Sequence, residues 1–471
     1  MVTNIWYGAY SFTTITMAPL LTLLKVGKFL QQLILAVFIG VVVGILAVAF
    51  FTVIGFLLSL FYGYSGDVSF VGLVSEMPWY QRLAIPALGG LLVGALIRIC
   101  NVSEAAGHGV SEVMESVALE KGKMRFRVAP VKILTAAITI GTGGSGGREG
   151  PIVQAGSAVG SNLGRWLKFS DVERRTLLAV GAAAGVSGAF FAPLAGVIFA
   201  WEILLRRMTV PIFVLLTVAA IVSNYVSSQL LGVSAPFFGE VDFGFVTNLE
   251  YLLLAGLAIV AAWVAIFYDN AIYLSQKIFS TSRIPFLFRP MLGGFLLGTI
   301  ALFVPLVHEP ASHPFMVDTL QLVSLGFGFL LLLIVLKVIA TALTIGSGGS
   351  GGIFAPALMI GLSVGAVYGV GMNFLFPNID MQVESYALLG MAAVFAAAAH
   401  APFAAAVIVY EMTGSVAAVI PLLITCVIAA YTAKFIQKTN IYSQALLLDD
   451  SVDIDKVYKR MNDRLKKYWR L

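Results

Sequence analysis

Arg148 and Glu149 are the residues whose chemistry most needs explaining. They stand together in GTGGSGGREGP (141–151), inside sequence that is otherwise apolar and uncharged. Ionisable groups are costly at membrane depth and mark ion or proton paths there. A second phrase, GSGGSGGIFAP (346–356), repeats the pattern without the charges. Glycines followed by proline suit a helix start whose amides face an anion. Glycine permits close approach, proline favours the first turn, and the helix N-terminus carries partial positive charge. Two such starts, from opposed halves, can converge on one dehydrated anion. Other chemistries fit less well. Gly143–Gly147 formally matches G-x-S-x-G, but that nucleophile elbow needs a preceding strand with His and Asp partners, and a helix precedes it here. No GK[ST] ending makes a phosphate loop, and no H-E-x-x-H occurs. His308 and His313 fall in an expected outer loop, and Cys100 and Cys426 lie in or beside apolar runs. Neither pair suggests a metal site or a disulfide framework. No catalytic residue, no metal ligand and no nucleic-acid partner is expected. Packing through small residues explains most of the 47 glycines, Gly89, Gly90 and Gly94 among them. It leaves Arg148 and Glu149 unexplained.

The elements that must position these residues are membrane helices. The 471 residues are 59% hydrophobic and 11% charged, with a mean hydropathy of +0.95. Apolar runs such as Leu33 to Phe61, Met208 to Gly239 and Met412 to Ala433 exceed the roughly 20 residues that cross a bilayer. Lys25 and Lys28 lead straight into a long span, so no short cleavable signal is expected at the start. Many apolar segments are short and bounded by Gly or Pro: 150–164, 193–205, 356–370 and 402–412. Irregular backbone survives in lipid only where protein buries it or it lines a cavity, so the spacing predicts an all-α membrane protein with broken, tilted helices.

The chain is doubled. IPALGGLLVGAL (85–96) resembles RPMLGGFLLGTI (289–300), and PVKILTAAITIGTGGSGG (130–147) resembles VLKVIATALTIGSGGSGG (335–352). GAAAGVSGAFFAPLAGVIFAWE (181–202) resembles GMAAVFAAAAHAPFAAAVIVYE (390–411). Pro86 pairs with Pro290, Lys132 with Lys337 and Pro193 with Pro402, at nearly one offset. The expected organisation is an N-terminal cytoplasmic or interfacial helix (1–29), a first repeat (30–232), an extracellular linker (233–250), a second repeat (251–446) and a charged cytoplasmic tail (447–471).

Charge orients the halves. Lys121, Lys123, Arg125, Arg127, Arg165, Lys168, Arg174 and Arg175 lie between the first-half blocks. The matching second-half loops carry Glu309, Asp318, Asp380 and Glu384, with no Lys or Arg. Before Pro86 stand Asp67 and Glu76 beside Arg82, whereas Lys277, Arg283 and Arg289 precede Pro290. Lys/Arg-rich loops stay cytoplasmic, so the halves cross in opposite senses. Inverted repeats of this kind hold substrate near the midplane, where broken helices meet. Arg206, Arg207 and the basic tail then fall inside, and the net charge of +5 is placed accordingly.

Gly147-Arg148-Glu149-Gly150-Pro151 resembles the GREGP signature of the CLC chloride channel and transporter family, and Gly352-Ile353-Phe354-Ala355-Pro356 resembles its GIFAP signature. Ala192–Gly196 and Tyr442 also match, and the resemblance runs from about residue 30 to about 446. It implies a CLC-like inverted repeat and a homodimer with one pore per subunit, in a bacterial inner membrane with both termini cytoplasmic. It implies a central chloride held by the amides of Ile353 and Phe354, the Tyr442 hydroxyl and the motif at Gly107–Ser111. The anion path then involves His108, Gly109, Arg148, Glu149, Gly150, Ile353, Phe354, Ala355 and Tyr442, with Glu149 as the gate and Arg148 in a mainly structural and electrostatic role. Bound chloride is expected and no cofactor. Some relatives append nucleotide-sensing domains; none is expected to act here.

Two departures qualify the resemblance. The family motif GSGIP reads Gly107-His108-Gly109-Val110-Ser111, so an imidazole replaces a serine hydroxyl. Its N–H can still donate to chloride, which leaves anion selectivity open. Family exchangers also carry an inner proton-accepting glutamate at the position of Ile203, one residue past Glu202. A one-residue shift turns a side chain about 100° on a helix, so Glu202 cannot substitute, and Glu202 and Glu411 are read as helix braces. Losing that acceptor leans the reading toward passive, channel-like chloride conduction; the alternative is proton-coupled exchange, with protons relayed by His108 or internal water. A carrier of another anion or a sodium-coupled solute carrier is a remote alternative that needs neither signature, and a membrane hydrolase lacks its nucleophile and base.

Overall fold

Proline and glycine set the first contact between the halves. In this computed structural model, Pro86 lies within the helix Trp79–Cys100 and Pro290 opens the helix Arg289–Phe303. The two helices pack together. A Cβ on Gly90 would overlap the Pro290 carbonyl, and one on Gly294 would overlap the Pro86 carbonyl. Each half therefore supplies the glycine that the other half's backbone needs, and the contact reads the same from both sides.

The structure describes residues 9–65, 70–233, 243, 248–308, 326–378 and 382–444. Within these, the chain is helical: α1 (Ala9–Tyr62), α2 (Phe70–Glu76), α3 (Trp79–Cys100), α4 (Val110–Ala118), α5 (Val128–Gly141), α6 (Glu149–Trp166), α7 (Asp171–Phe190), α8 (Pro193–Phe199) and α9 (Val210–Leu231) in the first half. The second half holds α10 (Asn248–Thr281), α11 (Arg289–Phe303), α12 (Phe327–Gly346), α13 (Phe354–Leu375), α14 (Val383–Ala399), α15 (Pro402–Thr413), α16 (Val419–Ile436) and α17 (Ile441–Gln444). Eight helices are long and apolar enough to span a bilayer, and the segments Val128–Gly141, Pro193–Leu205, Val383–Ala399 and Pro402–Thr413 are shorter. Among the described residues there is no strand, only the bridges Gly107–Ser350 and Gly147–Gly352. The expected all-α, multi-pass membrane fold with broken helices is borne out.

Equivalent pairs pack equivalently. α6 lies on α7, and α13 lies on α14. Gly156 and Gly181 leave no room for a Cβ between them, as do Gly361 and Gly390 in the second pair. Removing the side chain is what lets two buried helices approach this closely.

Polar contacts beside the glycine phrases are also exchanged between halves. The Ser145 amide donates to Thr344 at 3.1 Å, and the Ser350 amide donates to Thr139 at 3.2 Å. Thr135 donates to Ser350 at 3.0 Å, while Ser145 and Thr341 hydroxyls pair at 2.9 Å. The glycine phrases join back to back: Gly147 N–H donates to Gly352 O at 2.7 Å and Gly352 N–H donates to Gly147 O at 2.6 Å. Backbone groups without helical partners are thus satisfied inside the protein, as a lipid setting requires.

α1 runs through residues 29–30 without interruption. One sequence expectation changes. His308 does not sit in an open outer loop. It is fully buried, with Nδ1 2.9 Å from the Gly143 carbonyl, beside Tyr62, which donates to Thr142 O at 2.9 Å. The reason is an unpaired carbonyl: the first glycine phrase leaves its helix and needs outside donors. The tail from 447, His313, Glu309, Asp318, Asp380 and most of the 233–250 linker lie outside the described residues.

Candidate functional site

Glu149 is the first residue of α6, and its carboxylate crosses to the other half. Oε1 accepts from Phe354 N–H at 2.9 Å and from Ala355 N–H at 3.2 Å. Those are first-turn amides of α13, donors that have no partner within their own helix. The end of the helix adds partial positive charge at the same point. Oε2 is buried without a hydrogen-bond partner among the described residues. A Cβ on Gly147 or on Gly352 would overlap the Glu149 carboxylate. The two glycine phrases therefore form the pocket that holds it, each supplying one missing side chain.

Phe354 fixes the helix start by packing. Its ring centroid is 4.8 Å from that of Phe190 and 3.9 Å from that of Phe395. Behind it, Tyr268 donates to the Ile353 carbonyl at 2.8 Å. Of the three positions 353–355, Phe354 and Ala355 give amides to the carboxylate, and Ile353 gives a carbonyl to the tyrosine. Tyr268 was not singled out by sequence reasoning. The signal available was Tyr268-Asp269-Asn270, a polar triplet inside the long apolar α10.

Arg148 stands at the N-cap position of α6 and is 8% exposed. Its guanidinium lies 4.3 Å from the Phe51 ring centroid, a cation–π geometry that holds a desolvated charge, and it acts electrostatically on Glu149.

The first-half motif reaches the same place. Gly109 begins α4 with φ +86°, a conformation that side chains rarely adopt. A Cβ on Gly150 would overlap the His108 carbonyl, so the motif sits directly on the turn after Glu149. Lys132 holds the loop from α5: its Nζ donates to Gly107 O at 2.7 Å and Ala105 O at 3.1 Å. Its repeat mate Lys337 donates to Val307 O at 3.2 Å, which bends the equivalent loop in the other half. His108 is 2% exposed. Its ring centroid is 5.8 Å from that of Tyr442, itself fully buried on α17. Asn440 anchors this last turn by donating to Ala399 O at 2.8 Å. His108, Gly109, Glu149, Gly150, Ile353, Phe354, Ala355 and Tyr442 are thus brought to one region from α4, α6, α13 and α17.

Glu202 and Ile203 lie elsewhere, in the π-helical turn Ala200–Leu205 that ends α8. Glu202 accepts from Ala404 N–H at 2.7 Å and Phe403 N–H at 3.3 Å, the start of α15. Glu411 of α15 accepts from Ala195 N–H at 2.7 Å and Leu194 N–H at 3.0 Å, the start of α8. Each carboxylate caps the other half's short helix. Ile203 is buried and apolar.

Comparison with known proteins supplies the lineage. The family model described as voltage gated chloride channel matches residues 89–434. A protein of Ralstonia nicotianae whose name likens it to the chloride channel protein ClcB is 33% identical over 392 residues, covering 81% of this chain and 89% of that protein. The H(+)/Cl(-) exchange transporter ClcA of Yersinia pestis is 30% identical over 431 residues, covering 88% of this chain and 87% of that protein. In fold, the chain resembles the crystal structure of a slow cyanobacterial Cl-/H+ antiporter, with a TM-score of 0.77 at 24% identity over 92% of this chain and 99% of that one. The doubled glycine phrases, the crossing carboxylate and this sequence kinship agree that the chain belongs to the voltage gated chloride channel family, the CLC proteins.

Proposed function

We propose that this protein moves chloride across the membrane along a pathway whose gate is the Glu149 carboxylate. Family membership makes it an anion transport protein and not an enzyme, with chloride as substrate and no cofactor required. The observation that carries the gate is the pair of hydrogen bonds from Phe354 and Ala355 amides to Glu149 Oε1. An anion that takes the place of the carboxylate gains the same donors, and a protonated carboxyl gives them up. His108, Arg148, Gly150, Ile353 and Tyr442 complete the anion path in this reading. The unit is a homodimer with one pore per subunit, in a bacterial inner membrane with both termini cytoplasmic.

Ile203 stands at the inner proton position of family exchangers, and its side chain cannot hold a proton. Along that route conduction is passive. The second reading is Cl-/H+ exchange, favoured by the names of the Yersinia relatives and by a polar chain leading inward from His108.

The test uses potassium chloride-loaded liposomes with valinomycin, following external chloride and pH together. Chloride release without proton movement, at a rate changed by Glu149→Gln, supports passive conduction. Protons driven uphill by the chloride gradient replace it with exchange. No chloride flux removes chloride as the substrate.

A further inference from the structure

From His108 in the anion path a polar chain leads through Ser111 to Glu112, two residues with no role in that path. Ser111 Oγ lies 3.4 Å from His108 Nε2 and donates to Glu112 Oε2 at 3.1 Å. His108 Nδ1 is buried with no hydrogen-bond partner among the described residues. Glu112 also lines a pocket of about 510 Å³, shared with Glu115, Lys121, Arg125 and Arg165. The basic residues there belong to the loops that positive-inside charge places in the cytoplasm. One end of the chain therefore opens toward the cytoplasm, and the other borders Tyr442, which interacts electrostatically with Glu149.

We propose that Glu112, Ser111 and His108 form a proton route from the cytoplasmic pocket to the Glu149 gate, bypassing Ile203. This rests on the reading of Glu149 as the gate. With imidazole hydrogen on Nδ1, Glu112 takes a proton from the pocket. Its carboxyl hydrogen passes to Ser111 Oγ as the serine hydrogen passes to His108 Nε2, and the Nδ1 hydrogen leaves toward the gate. One proton enters at Glu112 and one leaves at Nδ1. The passage leaves the imidazole with its hydrogen on Nε2 and Glu112 ionised. Tautomer exchange of that hydrogen back to Nδ1, with the serine hydroxyl turning back toward Nε2, resets the chain.

The surrounding charges suit transfer over storage. Burial first, and then Lys132 on α5, oppose a lasting imidazolium at His108; at Glu112 burial favours the protonated carboxyl and Lys132 offsets that only in part. Glu115 on α4 faces Glu112, and Asp269 on α10 faces Tyr442. Arg148 faces Glu149, and Arg125 is paired with Glu104 at the mouth of the pocket. Lys132 keeps its carbonyl partners whether or not Glu112 is charged, so Glu112→Gln leaves the loop anchored.

Chloride flux is measured in membrane vesicles bearing the full chain, inside-out and right-side-out, with bath pH varied over about 8 to 5, the range in which imidazole and carboxyl groups titrate. The parent protein should respond to pH at both faces, and Glu149→Gln at neither. Glu112→Gln and Ser111→Ala should each lose the response to the cytoplasmic face while keeping the response to the outer face. A positioned proton-transfer group contributes about 10²-fold or more, so the loss should be near complete. The retained outer response shows that the variant is folded. Retention of the parent's cytoplasmic response in Glu112→Gln or in Ser111→Ala overturns the route. A Glu149→Gln variant that still responds at both faces overturns the gate reading instead, and the route with it.

Discussion

At the scale of single residues, the proposed gate is one carboxylate. Glu149 sits on two α13 amides while its second oxygen is buried unpaired. An ionised acceptor strengthens each bond to about 1.5–3 kcal/mol against about 1 for a neutral one. Glu149→Gln should therefore open the path by about tenfold in chloride flux, since about 1.4 kcal/mol is a decade, and should flatten its pH profile. The sign follows from the chemistry. Acid neutralises the carboxylate and frees the amides, so the parent's flux rises as pH falls; a flux that falls in acid would contradict the gate. Gly352→Ala makes a complementary case. Its methyl would occupy the space of the carboxylate, so the closed state is lost, and flux at neutral pH should rise toward that of Glu149→Gln. Glu149 and Arg148 were legible in the sequence because charge is rare in apolar sequence. Tyr268 and the Lys132 anchor were not legible as parts of the site, because their partners are backbone carbonyls far along the chain.

At the scale of elements, short helices are held by borrowed caps. α8 and α15 each begin with proline, and each receives the other half's glutamate on its first amides. Leaving first-turn N–H groups without an acceptor costs up to about 1–3 kcal/mol, the full amount applying only where they are buried. Glu411→Ala should thus lower thermal stability in detergent by about that amount, and chloride flux by the surviving protein should keep its pH profile. A changed pH profile at unchanged stability would assign Glu411 a transport role. Helix crossing makes a second demand. Gly90→Ala or Gly294→Ala places a methyl against the backbone carbonyl of the paired helix, and overpacking of this kind costs about 1–3 kcal/mol. Either variant should melt lower than the parent, whereas Gly27→Ala, where nothing lies near, should not.

At the scale of the whole molecule, the doubling is what brings the site together. Equivalent loops differ in charge, which orients the halves in opposite senses. Lys168→Cys and Asn378→Cys stand in equivalent exposed loops between α6 and α7 and between α13 and α14. A membrane-impermeant thiol reagent should label the first from the cytoplasmic face and the second from outside, with Cys100 replaced beforehand. Labelling of both from one side would sink the inverted arrangement. The sequence alone determined the membrane class, the repeat and the pair of glycine phrases, because these rest on hydropathy, composition and local pattern. Only the tertiary structure decided that Glu149 lies on the amides of Phe354 and Ala355, that His308 is buried against Gly143, and that Glu202 and Glu411 cap each other's halves. Each of those contacts joins residues well over a hundred positions apart, and what selects them is the fit of two folded halves: where one backbone leaves a donor or a gap, the other supplies the acceptor or the missing side chain.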